Sequence, residues 1–201
     1  MKNLVILVIC FFIHSFGYAQ IITGIDEISP FHDDLSAIKK GDQWAFINKK
    51  GITVINFRND LVSSESEGVS KAHPVFSDGR CIHKKLVDGV YHYGYIDKKG
   101  KATIAPQYLN VTNFKSGHAV VIELEKEIVG RNELLGKDVV SNTLKEYIID
   151  TSGKKIKYLD NARNYVKPKN NKPPVFYSKI IAPHLILVQT TDEQKYNIYE
   201  F

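Results

Sequence analysis

The sequence predicts an all-β protein in which tandem antiparallel β-hairpins, or short meanders, form an open twisted stack. A segment ending in an Asp/Asn-x-x-Gly turn occurs three times, and its flanks are rich in β-branched and aromatic residues, which favour strands. The composition, 43% hydrophobic and 24% charged residues over 201 positions, is typical of a globular protein and excludes a disordered or collagen-like chain. A small propeller-like arrangement is the alternative, and it needs about four blades of four strands.

The N-terminus predicts a signal peptide over residues 1–19. Lys2 precedes an apolar run over residues 4–13, which is shorter than the roughly 20 residues of a membrane-spanning helix. Gly17-Tyr18-Ala19 then supplies the small-x-small pattern of a cleavage site. A buried N-terminal helix is the alternative. We expect export to the periplasm or to the cell surface and medium, and no transmembrane segment in the mature chain.

Residues 20–201 are predicted to form a single β-repeat domain of about three to four degenerate units. Removal of the signal peptide leaves Cys81 as the one cysteine, so the mature fold holds no internal disulfide. The apolar core must therefore stabilise the domain. The formal net charge of +5 is mild and allows an anionic partner without requiring one.

The clearest repeat joins residues 44–51, Trp-Ala-Phe-Ile-Asn-Lys-Lys-Gly, to residues 93–100, Tyr-Gly-Tyr-Ile-Asp-Lys-Lys-Gly, 49 positions later. A weaker third copy, Tyr-Ile-Ile-Asp-Thr-Ser-Gly, covers residues 147–153. In each copy an Asp or Asn side chain can accept hydrogen bonds from backbone N–H groups two or three residues on, and a Gly accommodates positive φ. The predicted structural turn residues are Asn48, Gly51, Asp97, Gly100, Asp150 and Gly153.

A second shared element accompanies these hairpins. Residues 76–79, Phe-Ser-Asp-Gly, match residues 114–117, Phe-Lys-Ser-Gly, and a degenerate copy begins at Phe31. The order of elements over residues 93–119, with Pro106 and Tyr108 between the two motifs, resembles the WG β-repeat family, whose units have the form WGYID..G....P.Y.....F..G.A.V. The resemblance covers residues 21–157 and is closest in the central copy. It implies tandem β-units, often in exported or surface bacterial proteins, and it brings no shared enzymatic activity.

Two regions interrupt the period. Residues 123–144 are an insertion for which we favour a longer hairpin, with residues 129–132 near its tip, over a short helix. Residues 167–174 hold three prolines and three lysines, a composition that predicts an exposed extended loop. Residues 180–189 and 196–201 are predicted as two more strands that close the array.

The repeated positions hold turn formers or apolar residues, as stacking requires, and no catalytic set. We therefore predict a non-enzymatic scaffold that binds a protein or a cell-envelope component through the two irregular regions, with no cofactor, no metal and no nucleic acid. An immunity-type inhibitor that neutralises a toxin falls into the same class. A basic cluster over residues 154–172 leaves an anionic glycan or lipid headgroup as another possible contact.

A carbohydrate-binding module is the alternative function. It requires exposed aromatic rings, and the candidate ligand contacts are Trp44, Tyr91, Tyr93 and Tyr95. A third hypothesis is a thiol or metal-dependent enzyme, which would use Cys81 or a facing pair of His83 and His92.

Overall fold

A computed structural model describes residues 22–64, 71–168, 170–190 and 195–201 of the protein. Over these ranges the chain forms fifteen strands and no helix. The predicted signal peptide, residues 1–19, lies outside the described residues. The strands are β1 (Glu27–Ile28), β2 (Leu35–Lys40), β3 (Gln43–Asn48), β4 (Thr53–Arg58), β5 (Cys81–Val87), β6 (Val90–Ile96), β7 (Ala102–Tyr108), β8 (Asn110–Val111), β9 (His118–Asn132), β10 (Lys137–Asp150), β11 (Lys155–Tyr158), β12 (Arg163–Asn164), β13 (Ser178–Ala182), β14 (Leu185–Gln189) and β15 (Tyr196–Glu200).

These strands form four antiparallel sheets that follow one another along the chain. The sheets are β1-β2-β3-β4, β5-β6-β7, β8-β9-β10-β11 with β12 added beside β10, and β13-β14-β15. Within each sheet, strands that follow one another in sequence also pair, as in a meander, except that β12 pairs with β10. None of them closes into a barrel. The predicted all-β fold built from tandem antiparallel hairpins is therefore confirmed.

The three Asp/Asn-x-x-Gly segments form the same turn. The Asn48 carboxamide oxygen accepts backbone N–H groups of residues 50 and 52, at 2.9 and 3.1 Å. The carboxylates of Asp97 and Asp150 accept the two equivalent N–H groups at 2.8 to 3.0 Å. The fourth residue is in the left-handed region in each turn, with φ of 74°, 79° and 89° at Gly51, Gly100 and Gly153, a region that glycine occupies without steric cost.

A second set of turns joins one unit to the next. The Asp33 carboxylate accepts the N–H of Gly79 at 2.6 Å, and the Asp78 carboxylate accepts the N–H of Gly117 at 2.7 Å. The acceptors come from one copy of the Phe-x-x-Gly element and the donors from the following copy. This repeated hydrogen bond ties the first unit to the second and the second to the third.

The core repeats in the same way. The Phe46 ring packs edge-on against the Phe76 ring with centroids 4.7 Å apart, and the Tyr95 ring packs against Phe114 at the same distance. In each pair, an aromatic residue of one sheet meets the phenylalanine that begins the next Phe-x-x-Gly element. All four side chains are buried. Each unit therefore covers its apolar face with its successor, the arrangement expected of a repeat protein.

A buried carboxylate fixes the last sheet to the third. Glu146, in β10, is fully buried and accepts hydrogen bonds from Arg163 Nη1 at 2.8 Å and from the Tyr177 N–H at 2.9 Å. It also accepts a hydrogen bond from the Ser178 hydroxyl. A buried charge is tolerated when it is paired and hydrogen-bonded in this way.

Two local predictions differ from the structure. The insertion is a hairpin, as favoured, but its tip is at residues 133–136 rather than at 129–132, because Asn132 pairs with Lys137. The last region contains three strands rather than two, since the chain reverses between Ala182 and Leu185 with His184 at φ 64°. Among the described residues there is no helix with the length and apolar character needed to cross a bilayer.

Candidate binding surface

Three of the four aromatic residues predicted as ligand contacts are buried. Trp44, Tyr93 and Tyr95 are at most 8% exposed and belong to the packed cores of the first and second units. Tyr91 is half-buried, and the Lys84 Nζ lies 4.6 Å from its ring centroid. The strands alternate as predicted, but the face that carries these rings is covered by the next unit. Trp44, Tyr93 and Tyr95 are therefore packing residues and offer no exposed ring to a ligand.

The structure also separates the candidate catalytic and metal-binding residues. His83 pairs with Gly94 and His92 with Lys85, so the two histidines do not face each other across β5 and β6. The Cys81 side chain is buried, and burial raises the pKa of its thiol to about 12, which removes it as a nucleophile in the folded protein. Within the described ranges, no cluster of three or more His, Cys, Asp or Glu side chains is placed to hold a metal ion.

The basic cluster is dispersed among internal contacts. Arg163 pairs with Glu146, Lys155 with Glu123, and Lys157 donates to the Glu200 backbone oxygen at 2.5 Å. The Lys167 ammonium donates to a backbone oxygen in the β5–β6 turn. These cations do not form one continuous patch directed at a single ligand.

A projecting two-stranded ribbon is the most distinctive surface of the molecule. We call residues 123–144 the arm: it comprises the distal halves of β9 and β10, which pair only with each other beyond Leu124 and Thr143 among the described residues. A four-residue turn closes it, with the Leu135 N–H bound to Asn132 Oδ1 at 3.0 Å and Gly136 at φ 59°. A ribbon of two strands is only marginally stable in water without further packing.

The arm has one apolar face. Directly paired residues in an antiparallel ribbon lie on the same face. The Leu124–Leu144 pair lies over the core at the root of the arm, and the Ile128–Val140 pair lies further out on the same face, where both side chains are exposed. The Lys126–Asn142 pair lies between them, so this face is mainly apolar with one polar step. At the tip, Leu134 is 98% exposed. Grouped exposed apolar side chains mark interaction sites on soluble proteins.

The opposite face of the arm is charged. Glu125 and Glu127 lie on this face, and Glu125 forms an ion pair with Lys145. The hydrogen bond to Glu125 raises the pKa of the Lys145 ammonium. Residues 123–144 carry five carboxylates against three cationic side chains, a net charge of −2. The arm therefore combines an apolar face with a negative one.

A groove lies at the root of the apolar face. Its volume is about 380 Å³, and it is lined by Val87 and Val90 of the β5–β6 hairpin, by Leu124 and Asn142 of the arm, and by Tyr165. Lys167 Nζ, which also lines the groove, donates to the Asp88 backbone oxygen at 3.0 Å. The lining is part apolar and part polar, since Asp88, His92 and Lys126 also border the groove.

The sequence indicated the arm but not the groove. The signal for the arm is an insertion between two repeated hairpins that includes the exposed Leu134-Leu135 pair. The groove brings together residues from the second unit, the third unit and the segment after β12. No local sequence pattern predicts that these segments lie close together.

The fold and the inter-unit contacts define a tandem β-repeat protein with one projecting hairpin. The model of the WG containing repeat family matches residues 24–44 and 93–126. The chain is therefore similar to WG containing repeats over these two segments, and the resemblance seen in the sequence is confirmed there. A comparison with curated proteins and a comparison with solved structures gave no match.

Proposed function

We propose that the protein is an exported, non-enzymatic scaffold that binds a partner protein through the arm and the groove at its root. The observation that carries the proposal is the arm itself: an amphipathic ribbon that leaves the body with its apolar face and its tip exposed. A partner that covered this face would bury Ile128, Val140 and Leu134 and would remove the unfavourable hydration of those side chains.

The open edges of the arm favour the same class of partner. Beyond its root, neither edge has a neighbouring strand among the described residues, so each presents unpaired backbone N–H and C=O groups. An extended segment of another protein can add to such an edge through backbone hydrogen bonds, while apolar side chains provide specificity. A two-stranded ribbon is only marginally stable by itself, so a third strand from the partner would stabilise both the arm and the bound segment.

The charge of the arm favours a protein over an anionic lipid surface. Interfacial segments that bind anionic membranes are rich in Lys and Arg. The arm has the opposite balance, with a net charge of −2. A protein partner with a basic rim around an apolar centre fits this distribution.

Affinity capture from a cell-envelope extract of the source organism tests the proposal. The shortened variant replaces residues 126–142 with Asp-Gly, the two-residue turn that already closes β5–β6. It keeps Leu124, Leu144 and the buried Glu146. A second variant, Ile128→Ser with Val140→Ser, changes only the apolar face, and Glu127→Ser with Thr143→Ser is the matched change on the charged face.

We expect one set of partners to be retained by the wild type and by the charged-face variant but lost from the other two variants. If all four proteins capture the same partners, the arm has no binding role. Export is tested by N-terminal sequencing of the secreted protein, which we expect to begin at Gln20.

A further inference from the structure

A second cleft lies far along the chain from the arm, between the third and fourth sheets. Its volume is about 290 Å³, and it is bounded by β11 and the residues that follow it on one side and by β14 and β15 on the other. Leu159 and Val188, both buried, contribute apolar surface to its lining. The remaining lining residues are mainly polar, namely Asn161, Gln189, Thr190 and Asn197, and Tyr158 and Tyr199 are the aromatic ones.

Asn161 is the unexplained residue of this cleft. Its side chain is only 3% exposed, and neither the amide oxygen nor the amide nitrogen has a hydrogen-bond partner among the described residues. A buried polar group without a partner is unfavourable, and native structures contain few of them. A carboxamide that lines a cleft and provides both an acceptor and two donors is suited to a ligand that also donates and accepts.

Tyr199 gives the cleft an aromatic side. It pairs with Ile186, and Asn197 pairs with Val188, so both side chains share the face of those buried residues. Asn197 Nδ2 donates to Tyr199 Oη at 3.2 Å, which orients the two side chains together. The Lys157 Nζ lies 5.7 Å from the Tyr199 ring centroid, but Tyr199 is 43% exposed, which leaves surface of this side chain accessible to a ligand. The neighbouring Tyr196 and Ile198 lie on the other face of β15.

The charge of the lining favours a neutral ligand. Among the described residues of the lining, Lys157 and Asp160 are the one cation and the one anion, and the Lys157 ammonium already donates to the Glu200 backbone oxygen. An apolar base, the aromatic residues Tyr158 and Tyr199, and the carboxamides of Asn161 and Asn197 match the two kinds of surface of a sugar. The C–H groups of a sugar contact rings, and its hydroxyls both donate and accept. The volume is at the lower end of the range for small-molecule sites, about 300–1,000 Å³.

We propose that this cleft binds a neutral sugar of one or two pyranose rings, with Tyr199 against a ring face and Asn161 hydrogen-bonded to its hydroxyls. The site differs from the aromatic group considered from the sequence, since Trp44, Tyr93 and Tyr95 are buried. It is also independent of the proposed partner surface, because it uses other residues.

Titration of the full mature chain with methyl glycosides of glucose, galactose, mannose and N-acetylglucosamine, and with their β-linked disaccharides, tests the proposal by calorimetry or NMR. We expect at least one of them to bind. Asn161→Leu and Tyr199→Ala should each weaken that binding about tenfold or more, the change expected from loss of one good polar or stacking contact. Tyr196→Ala, on the opposite face of the same strand, should change it less than twofold.

Two results would overturn the proposal. In the first, no glycoside of the panel binds the wild-type protein. In the second, Asn161→Leu leaves binding unchanged and raises the melting temperature, which would show that the carboxamide is merely an unfavourable buried group. If Asn161→Leu does not fold, Tyr199→Ala decides the matter, because that side chain is partly exposed. The shortened-arm variant should keep full sugar binding, so failure of one proposal leaves the other intact.

Discussion

Replacement of Gly94 by alanine should be among the most damaging single changes in this protein. Gly94 is in β6, directly after Tyr93, and a Cβ built on it would lie 2.3 Å from the Ile104 carbonyl oxygen and 2.6 Å from the Ala105 carbonyl carbon. Ordinary van der Waals contacts of a Cβ begin at 3.4 Å. The contacting atoms belong to the backbone of β7, so the neighbouring strand would have to move by about 1 Å to relieve the overlap.

The cause is a bulge that is one residue longer than its counterpart in the first unit. Between Ile104, which pairs with Tyr95, and Tyr108, which pairs with Tyr93, β7 has three residues including Pro106. At the same place β4 has only two, and there the residue equivalent to Gly94 is Ala45, which is fully buried. The additional residue brings the return strand over the glycine, so the glycine and the bulge require each other.

Overpacking of a well-packed region costs about 1–3 kcal/mol and occasionally more. Because the overlap at Gly94 is with backbone, we expect a loss of about 3 kcal/mol, or about 6–12 °C in melting temperature for a chain of this size. The matched control is Ala45→Gly, which creates no overlap and should cost about 1–2 kcal/mol through backbone entropy and one lost methyl group.

Urea unfolding of both variants measures these values. A second protein that combines Gly94→Ala with deletion of Pro106 gives β7 the length of β4, and it should be more stable than the sum of the two separate changes predicts. A loss below 1 kcal/mol for Gly94→Ala, or strict additivity in the combined variant, would refute the steric explanation.

Three further predictions concern buried ionisable groups. Glu146→Ala and Arg163→Ala should each cost about 3–5 kcal/mol, because each leaves the opposite charge of a largely buried ion pair without its charged partner. The double variant should cost clearly less than their sum, and additive losses in urea unfolding would show that the pair is not coupled. The Cys81 thiol, with its pKa raised to about 12 by burial, should react with a thiol reagent at the rate of global unfolding, so rapid labelling of the native protein would contradict the described packing. Burial also lowers the pKa of His83, although the Ile104 carbonyl and Asp60 oppose the shift. As the pH falls below 6.5, the unfolded chain therefore takes up a proton before the folded one, and the free energy of unfolding should fall. His83→Gln should flatten the dependence of that free energy on pH in this range, and an unchanged slope would contradict the role of His83.

The hairpins and their turns were predictable because their chemistry is local. Asn48, Asp97 and Asp150 accept N–H groups only two and four residues away, and the glycines beside them need only a positive φ. These requirements are visible in a window of eight residues. The hairpin form of the arm follows for the same reason, since its strands are continuous with hairpin strands of the third unit.

The exposure of side chains was not predictable in the same way. Alternation assigns Trp44 and Phe46 to one face of a strand, but it does not tell whether that face meets solvent or the next unit. Burial of the Trp44 face depends on packing against Phe76, more than thirty residues later. The C-terminal hairpin was missed because its turn, at His184, has neither glycine nor asparagine to mark positive φ.

The position of the arm explains why the repeat tolerates such a large insertion. The first three units have turns at two ends. At one end, the Asp/Asn-x-x-Gly and Phe-x-x-Gly turns lie next to the neighbouring unit. At the other end, a hairpin turn closes β2–β3, β5–β6 or β9–β10. The arm lengthens the hairpin at the second end, where the repeated inter-unit hydrogen bonds are absent among the described residues. Extra residues there do not strain the stack, because loop and hairpin tips tolerate insertion when no packed backbone is displaced. A repeat protein of this kind can therefore acquire a projecting hairpin without losing the contacts that hold its units together.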